Sequence, residues 1–230
     1  MPGMNDPVAV FPGFSAGDLS TLALRRHLQA QGFRPHRWRL GINRGDVPAL
    51  IPQVVARTVS LFERHGEPIS LVGWSLGGVL AREVARERPD IVRSVVTLGS
   101  PVIGGPKYTR AAGFYKNVLR QDLDEIERSI DERNRIPIEV PLSAIYSKRD
   151  KVVQWEACID EHNAQCEHIE VDASHLSLGF DPRVLRLVSS RVAKYAELPV
   201  SIAAEEAYDA KGRGFELGLS HAVEVIDSEV

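Results

Sequence analysis

Residues 69–79, Ile69-Ser70-Leu71-Val72-Gly73-Trp74-Ser75-Leu76-Gly77-Gly78-Val79, decide the fold. An apolar run ends at a serine held between glycines, and a helical pattern starts directly after it. The run predicts a buried strand over 69–72, and Leu76 to Arg88, stopped by Pro89, predicts the helix that follows. A Gly-x-Ser-x-Gly pattern alone carries little, since chance supplies one in roughly a tenth of chains this long. Between a strand and a helix it gains meaning. A sharp turn there forces the serine backbone into a strained region, and glycines at 73 and 77 leave room for the neighbouring strand and helix. The hydroxyl then stands above the sheet, near the positive end of the helix. A tight turn with a merely structural serine is the competing reading.

The flanking chain repeats the same alternation. Pro7 to Phe11 predicts a strand that ends in the Pro12-Gly13 turn. Asp18 is a candidate N-cap for a helix with Leu19, Leu22, Leu24 and Leu28 at helical spacing, stopped at Gly32. Phe33 to Leu40 is a weaker, Arg-rich strand candidate, and Ala49 to Phe62 a helix closed by His65-Gly66. Ile91 to Leu98, Val140 to Tyr146 and His168 to Val171 read as further strands, and Asp181-Pro182 opens a last helix through about Tyr195. Apolar strands separated by amphipathic helices predict one α/β domain over 1–197: a mostly parallel sheet of about six strands with helices on both faces.

Two segments interrupt the rhythm. Between 98 and 140 the connection is too long for a plain crossover. Leu119, Leu123, Ile126 and Ile130 make a narrow apolar stripe there on a charged helix. Two readings stand: a surface crossover, or a helical cap segment over 103–137 covering a site. Residues 198–230 match no pattern and are set apart as a C-terminal extension.

Bulk properties narrow the function classes. The chain has 230 residues, 43% hydrophobic and 26% charged, with 28 basic and 31 acidic side chains for a net charge of −3. No basic field points to nucleic acid or an anionic membrane as partner. The start, MPGMNDPVAVFPGF, lacks a basic region followed by an apolar core, and there is no span of about 20 apolar residues. The expectation is a cytoplasmic protein without a transmembrane segment, a secreted form staying open if the start is trimmed. Oligomeric state is not legible. Cys158 and Cys166, the only cysteines, have no metal-ligand spacing and are expected to be unconnected thiols; a disulfide bracketing a short loop is the alternative.

A serine nucleophile needs a base and an acid to orient it, and in an open parallel sheet these belong beyond the carboxyl ends of strands. The strand at 140–146 runs into Ser147-Lys148-Arg149-Asp150, and the strand at 168–171 into Asp172-Ala173-Ser174-His175. Ser75, Asp150 and His175 are therefore the candidate nucleophile, acid and base. Asp172 rivals Asp150 but sits too close in sequence to His175 to reach back. His27, His36, His65, His162, His168 and His221 follow no late strand, His162 falling near the end of a predicted helix. An oxyanion hole would take one donor from the Leu76 amide and one from the loop Pro12-Gly13-Phe14-Ser15, with Phe14 the candidate. Trp74, Phe14, Val102, Leu176 and Leu178 are candidates for an apolar substrate pocket.

VFPGF, VGWSLGG, YSKRDKVVQW and ASHLSLGFDPRVL together resemble the lipase-like serine esterases of the α/β-hydrolase superfamily. The resemblance covers roughly 7–197, with the usual preceding antiparallel strands absent. It implies Ser75 as nucleophile, Asp150 as acid, His175 as base, Phe14 and Leu76 as oxyanion amides, and residues 97–101 as a loop lining the pocket. The implied activity is cleavage of a small-molecule or lipid carboxylic ester through an acyl-enzyme, with no metal and no cofactor. An acyltransferase or thioesterase using the same triad is the alternative. A non-catalytic member binding an acyl ligand or a protein is a further one.

Overall fold

The computed structural model describes residues 5–117 and 122–198. Six strands alternate with helices: β1 Pro7–Phe11, α1 Leu22–Ala30, β2 Arg34–Arg37, α2 Val47–His65, β3 Ile69–Trp74, α3 Leu76–Glu87, β4 Val92–Leu98, α4 Ala112–Asn117, α5 Leu123–Asn134, β5 Leu142–Tyr146, β6 Glu167–Glu170 and α6 Pro182–Ala196. They form one sheet in the order β2-β1-β3-β4-β5-β6, with every pairing parallel. The expected sheet is therefore present, and its order reverses beside β1 and β3, where open α/β sheets place ligands at their carboxyl edge.

Period-2 alternation divides the strands between two cores. Ala9, Phe11, Leu71, Val95 and Ala144 pack with Val54 and Leu61 of α2 and with Leu80 and Val84 of α3. Val8, Val10, Val72, Val96 and Ile145 face the other way, onto Leu24 and Leu28 of α1 and Val184, Val188 and Val192 of α6. Helices thus cover both faces, and the central strands read as continuous apolar runs because both sides are buried.

Capping explains the helix starts, with one correction. Asp46 accepts from the Ala49 amide at 3.2 Å to open α2, and Asp181 accepts from the Arg183 amide at 2.8 Å to open α6. Asp18 does not cap α1. Its carboxylate instead accepts the Trp38 amide at 3.1 Å, the chain makes a turn over 18–21, and α1 begins at Leu22. Leu19, expected on the apolar face, is consequently 86% exposed. His162 lies not at a helix end but in the loop beyond a one-turn 3-10 helix at Trp155–Cys158.

The long 98–140 connection holds a 3-10 turn at Gly105–Tyr108 followed by α4 and α5. Leu119 of its stripe lies outside the described residues, as do residues 199–230 of the C-terminal extension and His221 within it. Cys158 and Cys166 are both buried free thiols, pushed up to about 12 by burial.

Candidate active site

At the end of β3 the chain makes the expected strained turn. Ser75 has φ 55° and ψ −123°, a left-handed φ that costs an ordinary side chain about 1–3 kcal/mol. The turn is held because the Ser75 amide donates to the Leu98 carbonyl at 2.8 Å and the Gly78 amide to the Ser75 carbonyl at 2.9 Å. A Cβ on Gly73 would lie 2.3 Å from the Gly77 carbonyl oxygen, and one on Gly77 would lie 2.2 Å from that of Phe11. Both glycines are thus required by backbone approach. The Ser75 side chain makes no cap bond to α3 and lines a cleft above the sheet.

Two later strand ends supply an acid–imidazole pair. Asp150 Oδ1 accepts the Val152 and Val153 amides at 2.7 and 2.9 Å, and Oδ2 lies 2.6 Å from His175 Nδ1. With one oxygen saturated by backbone donors, the other is left to accept from Nδ1–H, so Nε2 carries the lone pair. Both side chains are nearly buried, at 1% and 8% exposure. Ser147 Oγ ties the two loops together, accepting the Arg149 amide at 3.1 Å and the Ala173 amide at 3.3 Å. His175 is further fixed by its carbonyl, which accepts Trp74 Nε1–H at 3.2 Å. Gly99, at φ 54°, backs the pair: a Cβ there would stand 3.0 Å from Asp150 Oδ2 and 3.2 Å from His175 Nδ1.

The rivals fall elsewhere. Asp172 is exposed and paired with Arg149 at 3.0 Å. His27 bonds Ser189 at 3.1 Å, His168 accepts the Asp160 amide at 2.8 Å, and His36 meets His65 in a tilted ring contact with centroids 4.7 Å apart. Among the described residues, His175 is the one histidine lining the cleft.

The loop after β1 presses against the serine. A Cβ on Gly13 would be 3.2 Å from Ser75 Cβ and 3.8 Å from Oγ, so the Phe14 amide follows a backbone already in contact with Ser75. The Leu76 amide opens α3 on the other side. Asn43, which sequence reasoning missed, holds the loop's shape. It is fully buried, donates from Nδ2 to the Pro12 carbonyl at 3.0 Å and accepts the Gly45 amide at 3.1 Å; its carbonyl accepts the Ser15 amide at 2.7 Å. Tyr115 of α4 adds a second brace. Its hydroxyl donates to the Gly45 carbonyl at 3.0 Å and its ring meets Phe14 at 5.8 Å.

The cleft encloses about 1230 Å³. Trp74, Phe14, Val102 and Leu176 line it, with Leu176 exposed at the mouth. Leu178 does not. A 3-10 turn at Ser177–Gly179 rotates it inward, and it is wholly buried in the core beneath the site. Val47 and Ile51 of α2, Val79 of α3, and Ile126 and Ile130 of α5 form the apolar walls. The described residues of the 98–140 connection therefore contribute a wall of the cleft. Among the described residues there is no cluster of three or more His, Cys, Asp or Glu side chains fit for a metal, and no helix long and apolar enough to cross a membrane.

No protein-family model matches the chain. Solved structures do share its fold. A monoacylglycerol lipase from Paleococcus ferrophilus superposes with a TM-score of 0.62 at 15% identity, covering 84% of this chain and 97% of that one. The lipase BlEst2 of Bacillus licheniformis gives 0.64 at 12% identity, covering 82% and 92%. A thioesterase domain from the curacin biosynthetic pathway gives 0.57 at 15% identity, covering 84% and 90%. At such identities the likeness establishes the architecture, and the chemistry has to be argued from the side chains.

Proposed function

We propose, on the premise that the chain has the α/β-hydrolase fold, that it is a serine hydrolase cleaving carboxylic esters through an acyl-enzyme intermediate. The observation that carries this reading is the Asp150–His175 pair at 2.6 Å, delivered by two strand ends to the cleft lined by the strained Ser75.

His175 Nε2 takes the Ser75 proton as Oγ attacks the ester carbonyl carbon. The carbonyl electron pair moves onto oxygen, where the Phe14 and Leu76 amides donate hydrogen bonds to the developing charge. The intermediate collapses, the C–O bond to the alcohol breaks, and His175 returns its proton to the departing alkoxide. A water repeats the sequence on the acyl-enzyme, releasing acid and free Ser75. Throughout, Asp150 fixes the Nδ1–H tautomer and stabilises the imidazolium without itself being protonated. The reaction draws on no metal and no organic cofactor. The substrate is a small-molecule or lipid ester reached from solvent, with no call on nucleic acid.

Turnover of p-nitrophenyl esters beside acyl-thioesters, in wild type and Ser75→Ala, tests the reading. Ester hydrolysis abolished by the substitution supports it. Preference for thioesters would move the assignment to a thioesterase, and turnover unchanged in Ser75→Ala would refute it.

A further inference from the structure

We propose that helix α3 acts as a ruler that limits the acyl chain to about eight carbons; the proposal rests on the hydrolase reading above. Leu76, Val79, the pair Arg82 and Glu83, and the pair Arg86 and Glu87 all line the cleft. They recur every three to four residues, so one face of α3 runs along the cleft from the nucleophile outward. At about 1.5 Å per residue, Val79 lies about 4–5 Å beyond Leu76 and Arg82–Glu83 about 9–10 Å beyond it.

The facing wall changes character at the same depth. Ile126 and Ile130 of α5 line the apolar part, and Gly105 is packed against them closely enough that a Cβ would meet Ile130 Cδ1 at 2.4 Å. One turn further, Arg133 and Asn134 take over. Arg133 Nε pairs with Glu83 Oε2 and Nη2 with Glu87 at 3.1 Å; Arg86 pairs with Glu83 Oε1 and donates to Asn134 Oδ1 at 2.6 Å. The Arg86 and Glu83 side chains are 2% and 7% exposed. Arg82 is held from behind by Asp160 at 2.7 Å. Charges this enclosed depend on their partners, and a methyl end pushed among them would displace a partner or desolvate a charge.

The arm that runs along α3 is the acyl one. His175 arrives with the core on the α1–α6 side of the sheet, and the leaving alcohol has to face its Nε2, beside the exposed Leu176. The α2–α3 side of the cleft is left for the acyl chain. An extended chain advances about 1.2 Å per bond, so about eight carbons bring its end to Arg82 and Glu83.

The test is kcat/KM for p-nitrophenyl esters from acetyl to palmitoyl, each below its aggregation concentration. Wild type is expected to gain up to about fourfold per methylene to a maximum near octanoyl, then to fall at least about tenfold by dodecanoyl. Val79→Phe, at a half-buried position, should move the maximum to about butyryl, read as the ratio of butyryl to octanoyl turnover within the variant. Arg133→Leu leaves the Glu83–Arg86 pair in place and should raise dodecanoyl relative to octanoyl at least about fivefold. A butyryl series with lengthening alcohols should keep the same profile in Val79→Phe as in wild type. A wild-type profile rising through palmitoyl, or a Val79→Phe maximum unmoved in a protein of wild-type melting temperature, overturns the ruler and leaves the hydrolase reading standing. Turnover of no ester at any length, with no adduct on Ser75, overturns both.

Discussion

Asp150→Asn isolates the role of the carboxylate without altering its shape. In the wild-type site Oδ1 accepts two backbone N–H groups, from Val152 and Val153, and Oδ2 accepts Nδ1–H of His175. An asparagine amide has one oxygen and one NH₂. Turning the NH₂ toward Val152 and Val153 would oppose donors to two donors, so the oxygen has to stay there and the NH₂ has to face His175. Nδ1 then becomes the acceptor, Nε2 carries the proton, and the base that Ser75 needs is lost. A tautomer error of this kind costs about 10⁴ in kcat, or about 5.4 kcal/mol of transition-state stabilisation. In the folded state all three hydrogen bonds of the carboxylate persist but lose their charge assistance, together about 1.5–3 kcal/mol, or roughly 3–12 °C in melting temperature for a chain this size. Steady-state kinetics on a p-nitrophenyl ester, paired with a thermal melt, would read both. A folded Asp150→Asn variant retaining a tenth or more of wild-type kcat would refute the tautomer argument.

Gly77→Ala should lower stability by about 2–3 kcal/mol, because its Cβ meets the Phe11 and Pro12 carbonyls and cannot be relieved by a rotamer change; a melting temperature within about 2 °C of wild type would count against the close approach. Asn43→Ala should cost about 1–3 kcal/mol in denaturant unfolding by stranding the Pro12 carbonyl and Gly45 amide, and should lower kcat about 10²-fold through the displaced oxyanion loop. His36 is held down to about 4 by burial and by His65, Arg57, Arg64 and Arg34 around it. The folded state therefore binds fewer protons than the unfolded one between about pH 4 and 6.5, and stability drops as pH falls through that window, by about 1–2 kcal/mol after discounting for solvent screening. His36→Gln should remove this part of the acid sensitivity, read from denaturant midpoints at about pH 5 and pH 7.

What the sequence made legible is what rests on strand ends. Ser75 and Asp150 follow apolar runs and His175 a short alternating one, so their loops could be placed before any geometry was known, and the structure brings Asp150 and His175 within 2.6 Å. Residues that act through the backbone left no such trace. Asn43 works by bracing the Pro12 and Gly45 main chain from a loop far from both in pattern, and only its burial reveals it. Asp18 had the look of an N-cap, but tertiary contact with the Trp38 amide outweighed local preference. Leu178 was misplaced because a single 3-10 turn decides whether a residue after His175 faces cleft or core. The Glu83 and Arg86 side chains of α3 are almost wholly buried. They are enclosed because Arg133 and Asn134 of the insertion pack over them, a pairing about 50 residues away in the chain that no local pattern encodes.

The central claim is that Ser75 is a nucleophile activated by His175. Incubating the folded chain with a fluorophosphonate and mapping the adduct by mass spectrometry tests it most directly. The account predicts one covalent adduct, on Ser75, absent in Ser75→Ala and formed at least about 10³-fold more slowly in His175→Ala. No adduct on folded wild-type protein, or labelling of Ser75 at an undiminished rate without His175, would contradict it.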